Sequence, residues 1–178
     1  AAGLNGNRYA TFHQLGKEQA QKLHEDDRLY DVGDTIFIGS TPLGNSSLSL
    51  YLREYHDNAL SMYPAIGNVK EGRLPEEAIE IALSEDALQY LGLDAVIGDT
   101  VSLDLSVSVM DGSLSELEYS ADFVLTGILE SSYIGYASGT VEGIVGEGTA
   151  EELLPEEYLL YSTDFKTYDK QNFQSIIY

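Results

Sequence analysis

The sequence predicts an α+β fold in which a β-α-β unit, built from the two ends of the chain, carries an inserted β-rich stretch. Three observations predict it. Between Arg8 and Gly39 the apolar spacing passes from strand to helix and back to strand. In the middle, Val101, Leu103, Leu105, Val107 and Val109 alternate with Ser102, Asp104, Ser106 and Ser108, the period of a strand with one wet face. Near the end, a strand-like run and a helix-like run repeat the opening order, so the first and last segments pair as one subdomain. The boundaries follow as a linker or expression remnant at 1–7, an α+β subdomain from 8–60 with 156–178, and an inserted β-rich subdomain with one short helix at 61–155.

Arg8 to His13 is a short β-prone run, and the helix after it, Lys17 to Leu23, places Leu15, Ala20 and Leu23 on one face. Asp26-Asp27 stops that helix, and Leu29 to Gly39 returns to a strand centred on Ile36, Phe37 and Ile38. After the turn cluster Thr41 to Asn45, Ser47 to Tyr55 alternates Leu48, Leu50 and Leu52 with polar neighbours. In the insert, Gly72-Arg73-Leu74-Pro75 is a turn and Glu80 to Leu83 a brief strand. Ser84 is the N-cap of a helix from Glu85 to Leu91 that Gly92 closes. Met110-Asp111-Gly112-Ser113 supplies hairpin chemistry between the Val101 strand and a return strand from Leu114 to Ile128. Leu83, Leu88, Leu91, Val101, Leu103, Phe123 and Leu125 fall at core positions of these elements. The glycine-rich Tyr133 to Gly148 predicts a mobile loop or irregular strands, Tyr158 to Thr163 a strand, and Asp169 to Ile177 the start of a helix.

The charge excludes one class of partner. Thirty acidic against nine basic residues among 178 give a formal net charge of −21, which repels nucleic-acid backbones and anionic lipid headgroups. The chain contains no cysteine, hence no disulfide, thiolate nucleophile or cysteine-ligated metal. No run approaches the ~18–20 apolar residues that cross a bilayer, and the start lacks the regions of a signal peptide, which fits a loop taken from between two membrane helices.

Specific chemistry finds no support in the motifs. His13, His24 and His56 have no histidine three or four positions away, so they do not form a metal pair. Glu54, His56 and Asp57, with Asp31 and Asp34 elsewhere, offer oxygens to a cation, but no EF-hand loop is present. No Gly-x-Ser-x-Gly elbow occurs, and Gly143 to Gly148 lacks the lysine of a phosphate loop. The acidic pairs Glu76-Glu77, Glu151-Glu152 and Glu156-Glu157 sit in turn-like sequence and read as solvated helix starts. No catalytic, cofactor-binding or metal-binding residues are predicted, and the protein is not expected to be an enzyme. Among the thirteen tyrosines, Tyr158 and Tyr161 belong to a predicted strand. Tyr133 and Tyr136, with Ile134 between them, are the candidate partner-contact residues.

A resemblance emerges from the middle of the chain. Pro64 to Gly67, Glu71-Gly72-Arg73-Leu74-Pro75, Glu80-Ile81-Ala82-Leu83-Ser84, Leu91-Gly92, Ile97-Gly98-Asp99-Thr100-Val101 and Phe123-Val124-Leu125-Thr126-Gly127-Ile128 occur in an order and spacing that resembles the MacB-like periplasmic core domain of MacB/FtsX-like ABC-transporter permeases. These motifs cover about a third of the chain. Their residues are fold-forming, so the resemblance transfers no ligand or catalytic residue. It implies a domain facing the extracytoplasmic side of the cell membrane, in a permease whose cytoplasmic ATPase is a partner subunit or fused domain, with a second permease copy as a further partner. It implies a function of coupling ATP-driven motion to substrate or partner handling outside the membrane. The alternative, from a different class, is a secreted or surface-anchored adhesion or binding module.

Overall fold

A computed structural model of the chain describes residues 10–27, 29–44, 46–56, 59–62, 66–110, 114–130 and 139–167. The strands among them join one mixed sheet. β1 (Ala10–Leu15), α1 (Lys17–Glu25) and β2 (Leu29–Pro42) form the expected opening unit. The last described strand, β9 (Tyr161–Thr167), enters between β1 and β2 and runs antiparallel to both. Ala20 and Leu23 of α1 are buried, and Leu23, Leu29 and Phe165 pack with Leu15 and Val32 into a small cluster under the helix. At the start of α1 the Gly16 N–H donates to the Gln19 side chain at 3.1 Å, which satisfies a donor left free by the helix end.

From β2 the sheet continues through β3 (Ser49–Tyr55), β8 (Thr140–Val145), β5 (Glu80–Ser84) and β7 (Leu114–Leu129) to β4 (Val69–Gly72). β6 (Thr100–Met110) forms a long hairpin with β7 and touches β2 through one register pair, Ser40 opposite Ser106. The terminal strands β1, β9, β2 and β3 therefore make one half of the sheet and the middle strands β8, β5, β7 and β4 the other, joined where β3 pairs with β8 and where β2 meets β6. Two short helices, α2 (Glu85–Tyr90) and α3 (Thr149–Leu153), follow β5 and β8. Leu83, Leu88, Val101, Leu103, Phe123 and Leu125 are buried in one cluster, and Leu91 packs against it, so the predicted core is a single core.

Two expectations need correction. Thr140–Val145 is neither loop nor irregular strand. It is the regular strand β8, parallel to β3 over six residues and buried along most of its length. Its one glycine is there for fit. An added methyl at Gly143 would lie 2.6 Å from Leu52 and 2.9 Å from Leu83. The strand expected at Tyr158 to Thr163 begins later: Pro155 caps a 3₁₀ turn, Glu156–Tyr158, closed by Tyr158 N–H to Pro155 O at 2.9 Å, and the strand starts at Tyr161. The helix expected from Asp169 to Ile177 lies outside the described residues.

Several of the motifs that carry the resemblance hold a junction. Ser84 caps α2 by accepting from the Ala87 N–H at 3.1 Å, and Gly92, at φ 71°, ends it. In the Ile97-Gly98-Asp99 turn, the Gly98 N–H donates to Leu125 O and the Leu125 N–H to Asp99 O, which locks the start of β6 to β7. Gly127 lets the Arg73 carbonyl approach to within 2.3 Å of where a methyl would stand. Ile79, a β-branched residue at φ 60°, sits in left-handed backbone, a strained conformation. It is held there by its N–H to Thr149 Oγ1 at 2.9 Å and its carbonyl to the Val124 N–H.

Arg73 forms a two-pronged ion pair with Glu80, at 3.0 and 2.7 Å, and Glu80 also accepts the N–H groups of Glu76 and Glu77. The guanidinium first, then those backbone donors, hold the Glu80 carboxyl down at about 2. A depressed carboxyl contributes stability that is present above its unfolded value near 4.5 and is lost as pH falls toward 2. Arg73→Gln should shift the Glu80 titration upward in carboxyl-detected NMR and flatten acid sensitivity in that window. An unmoved titration would show that the fork is not what holds it.

Candidate functional site

The pairing brings one row of residues to the same face of five neighbouring strands. Glu118 stands opposite Ser106, Ser106 opposite Ser40, Ser40 opposite Tyr51, and Tyr51 beside Glu142. Because side chains of paired residues share a face, this row crosses β7, β6, β2, β3 and β8 on the side away from Leu50, Leu52 and Phe123. A bulge between Phe37 and Gly39 bends β2 so that it meets the hairpin at this row. Tyr119 ties the crossing by donating its hydroxyl to the Ile38 carbonyl, and burial pushes that hydroxyl's pKa well above the ordinary tyrosine range.

A groove of about 530 Å³ opens at the crossing, lined by Ser40, Pro42, Asp104, Leu105, Ser106, Glu118, Tyr119 and Ser120. Its lining carries two carboxylates, several hydroxyls and no basic side chain. Ser120 donates to Asp104 at 2.5 Å, and one rung away Ser102 donates to Asp122 at 2.6 Å. On the β2–β3 side the face changes character. Phe37 and Tyr51 meet edge to face, with centroids 5.7 Å apart, and the Arg53 guanidinium lies 5.6 and 5.7 Å from the two rings while pairing with Glu142. The face can therefore offer stacking surface on one side and anionic hydroxyl-rich surface on the other. Sequence reading assigns the serines of β6 to a wet face, which is where they lie. The groove comes from the bulge and from long-range pairing, which no local pattern signals.

On the opposite, buried face two carboxylates lie among apolar neighbours. Asp34 accepts from Thr163 Oγ1 at 2.7 Å and pairs with His24 Nε2 at 2.8 Å. Glu54, 1% exposed, accepts the Ala150 N–H at 2.9 Å through one oxygen and pairs with His56 Nε2 through the other. The backbone links the two pairs, His56 N–H donating to Asp34 O at 2.8 Å. The bond to Glu54 is the main cause that raises the His56 pKa above 6.5, with the charges of Glu54, Glu147 and Asp34 adding to it and burial opposing it. Burial, with Glu151, Asp34 and Glu54 nearby, likewise raises the Tyr161 hydroxyl.

Glu54, His56 and Asp34, considered above as oxygens and nitrogen for a cation, thus come together as a hydrogen-bonded network. Among the described residues no group of three or more histidine, aspartate or glutamate side chains is arranged to hold a metal ion. Asp57, the side chain of Asp31 and the contact candidates Tyr133, Ile134 and Tyr136 lie outside the described residues. Tyr158 and Tyr161 are half-buried against the main core. No helix among the described residues is long and apolar enough to cross a membrane.

No protein-family model and no curated protein matches the sequence. Solved structures do. The periplasmic region of MacB from Actinobacillus actinomycetemcomitans superposes with a TM-score of 0.55 at 15% identity, over 97% of this chain and 80% of that one. The extracellular domain of the noncanonical ABC-type transporter YknZ from Gram-positive bacteria gives 0.54 at 11% identity, over 93% and 88%. A domain of a putative permease protein from Porphyromonas gingivalis gives 0.55 at 14%, over 94% and 76%. The chain has the fold of these MacB-like extracytoplasmic transporter domains.

Proposed function

We propose that this chain is the extracytoplasmic domain of an ABC-transporter permease, and that it couples ATP-driven motion to substrate or partner handling outside the membrane. The observation that carries the reading is the fold shared with two such transporter domains and a permease domain over more than nine-tenths of the chain. The sheet edge suits the role. β1 starts beside the end of β9, Ala10 opposite Phe165, so both ends of the described fold emerge together at one corner. Rigid-body motion of the membrane segments would be passed to the whole sheet through that corner. In this reading the terminal segments 8–60 and 156–178 and the insert 61–155 are two subdomains sharing the sheet, and the ATPase is a cytoplasmic partner subunit or domain.

The 178 residues contain no cysteine and Ser108 is exposed, so a cysteine placed there is the single one in this domain. In the full-length protein, with any cysteine outside the domain replaced and that parent as the control, Ser108→Cys should react with a membrane-impermeant maleimide in intact cells or spheroplasts. Labelling only after permeabilisation would remove the extracytoplasmic reading.

The open face and its groove supply the contact surface of this reading, together with Tyr133, Ile134 and Tyr136. Asp104→Asn combined with Glu118→Gln should lower transport or partner capture several-fold while changing stability by less than about 0.5 kcal/mol. Tyr133→Ser with Tyr136→Ser should do the same at the second place. Unchanged transport in either double variant takes that surface out of the contact.

A further inference from the structure

The network on the buried face joins elements that are far apart in sequence. Asp34 on β2 holds α1 through His24 and β9 through Thr163, while Glu54 on β3 holds the first turn of α3 through the Ala150 N–H. Of the groups that hold Glu54, the Ala150 N–H is permanent and the His56 imidazole is not. Glu54 is 1% exposed, yet the His56 side chain is 30% exposed, so a buried carboxylate is held by a group that solvent protons reach. This inference is independent of the proposed transport role.

We propose that His56 is the catch of a proton-operated latch: charged, it holds Glu54 against the Ala150 N–H and seats α3 on the sheet, and on losing its proton it releases α3 and the turn before it. Removing the charge leaves a buried carboxylate with neutral donors only, the imidazole N–H and the Ala150 N–H, and no cation beside it, an arrangement that is costly in an apolar surround. Among the described residues, three carboxylates favour the charged form of His56: Glu54 near the end of β3, Asp34 from β2 and Glu147 from the turn before α3. Around the two carboxylates stand Glu151 from α3, Tyr161 from β9 and His24 from α1. Glu147 sits two residues before α3, so loss of the His56 charge also removes an attraction that holds this turn. The direction is set by the raised imidazole: the stabilisation is complete below 6.5 and is lost as pH rises through the higher folded value.

Hydrogen exchange on the 178-residue chain tests this, with rates corrected for their intrinsic pH dependence. Between about pH 6 and about pH 9 the amides of Thr149 to Leu154 should lose roughly tenfold in protection, while those of β6 and β7 stay level. In His56→Gln, which keeps a donor but not the charge, protection of this segment should be low and flat with pH. In His24→Gln the pH dependence should persist. Persistence of the pH dependence in His56→Gln, or an equal loss throughout β6 and β7, would overturn the latch. Should His56→Gln fail to fold, the imidazole of the unaltered chain decides by NMR titration: a midpoint above 6.5 supports the proposal, and one at or below it overturns it.

Discussion

Truncating Phe123 to alanine should lower the free energy of unfolding by about 3–5 kcal/mol, the range for removing a fully buried phenylalanine. Phe123 is 0% exposed on β7, opposite Val101, at the centre of the main cluster. The ring fills space beneath the β6–β7 hairpin that backbone hydrogen bonds hold open, so collapse around the cavity is restricted and the cost should reach the upper part of that range. Urea denaturation of both proteins would measure it, with the slope unchanged and the midpoint shifted. A loss below about 1 kcal/mol would mean that the inner face of the hairpin is not where this sheet places it.

The second large effect is expected where a glycine meets backbone. A methyl at Gly146 would stand 1.8 Å from the Glu77 carbonyl oxygen and 2.7 Å from its carbon, atoms that no side-chain rotation can move aside. The Gly146 N–H also donates to Glu80 O at 3.0 Å, so shifting the chain to make room breaks a bond between β8 and β5. Gly146→Ala should therefore cost about 1–3 kcal/mol or more by overpacking. Gly16→Ala is the control: its methyl would meet nothing nearer than the Gln19 side-chain oxygen at 3.9 Å, and its effect should stay within about 0.5 kcal/mol. Equal effects from the two substitutions would show that Gly146 is not packed against the Glu77 backbone.

That contrast also explains which parts of the fold could be read from residues alone. β6 was legible because strict alternation of aliphatic with serine and aspartate has one physical solution, a strand with one dry and one wet face. The end of α2 was legible because Ser84 and Gly92 are local signals whose bonds close within a few residues. β8 was not, because the glycines that look like loop chemistry answer to Leu52, Leu83 and Glu77, which are remote in sequence. The candidate face divides in the same way. Its serine side follows from the β6 pattern, whereas Phe37, Tyr51 and Arg53 become neighbours only once β2 and β3 pair across their bulge. The buried network was visible as a local grouping of Glu54 and His56, but its meaning depended on Ala150 and Thr163, which arrive from the other end of the chain.

The position of β9 sets the order in which this domain can be completed. β9 fills the gap between β1 and β2, yet it is the last described strand to be synthesised. Until it arrives, β1 has no partner and β2 keeps one edge of unpaired amides and carbonyls, with Leu29 and Leu23 uncovered beside it. Closing a loop that spans nearly the whole chain is entropically slow, and such non-local pairings delay folding. A nascent chain therefore carries an adhesive strand edge for as long as β9 is missing, and that stage of its synthesis is exposed to aggregation.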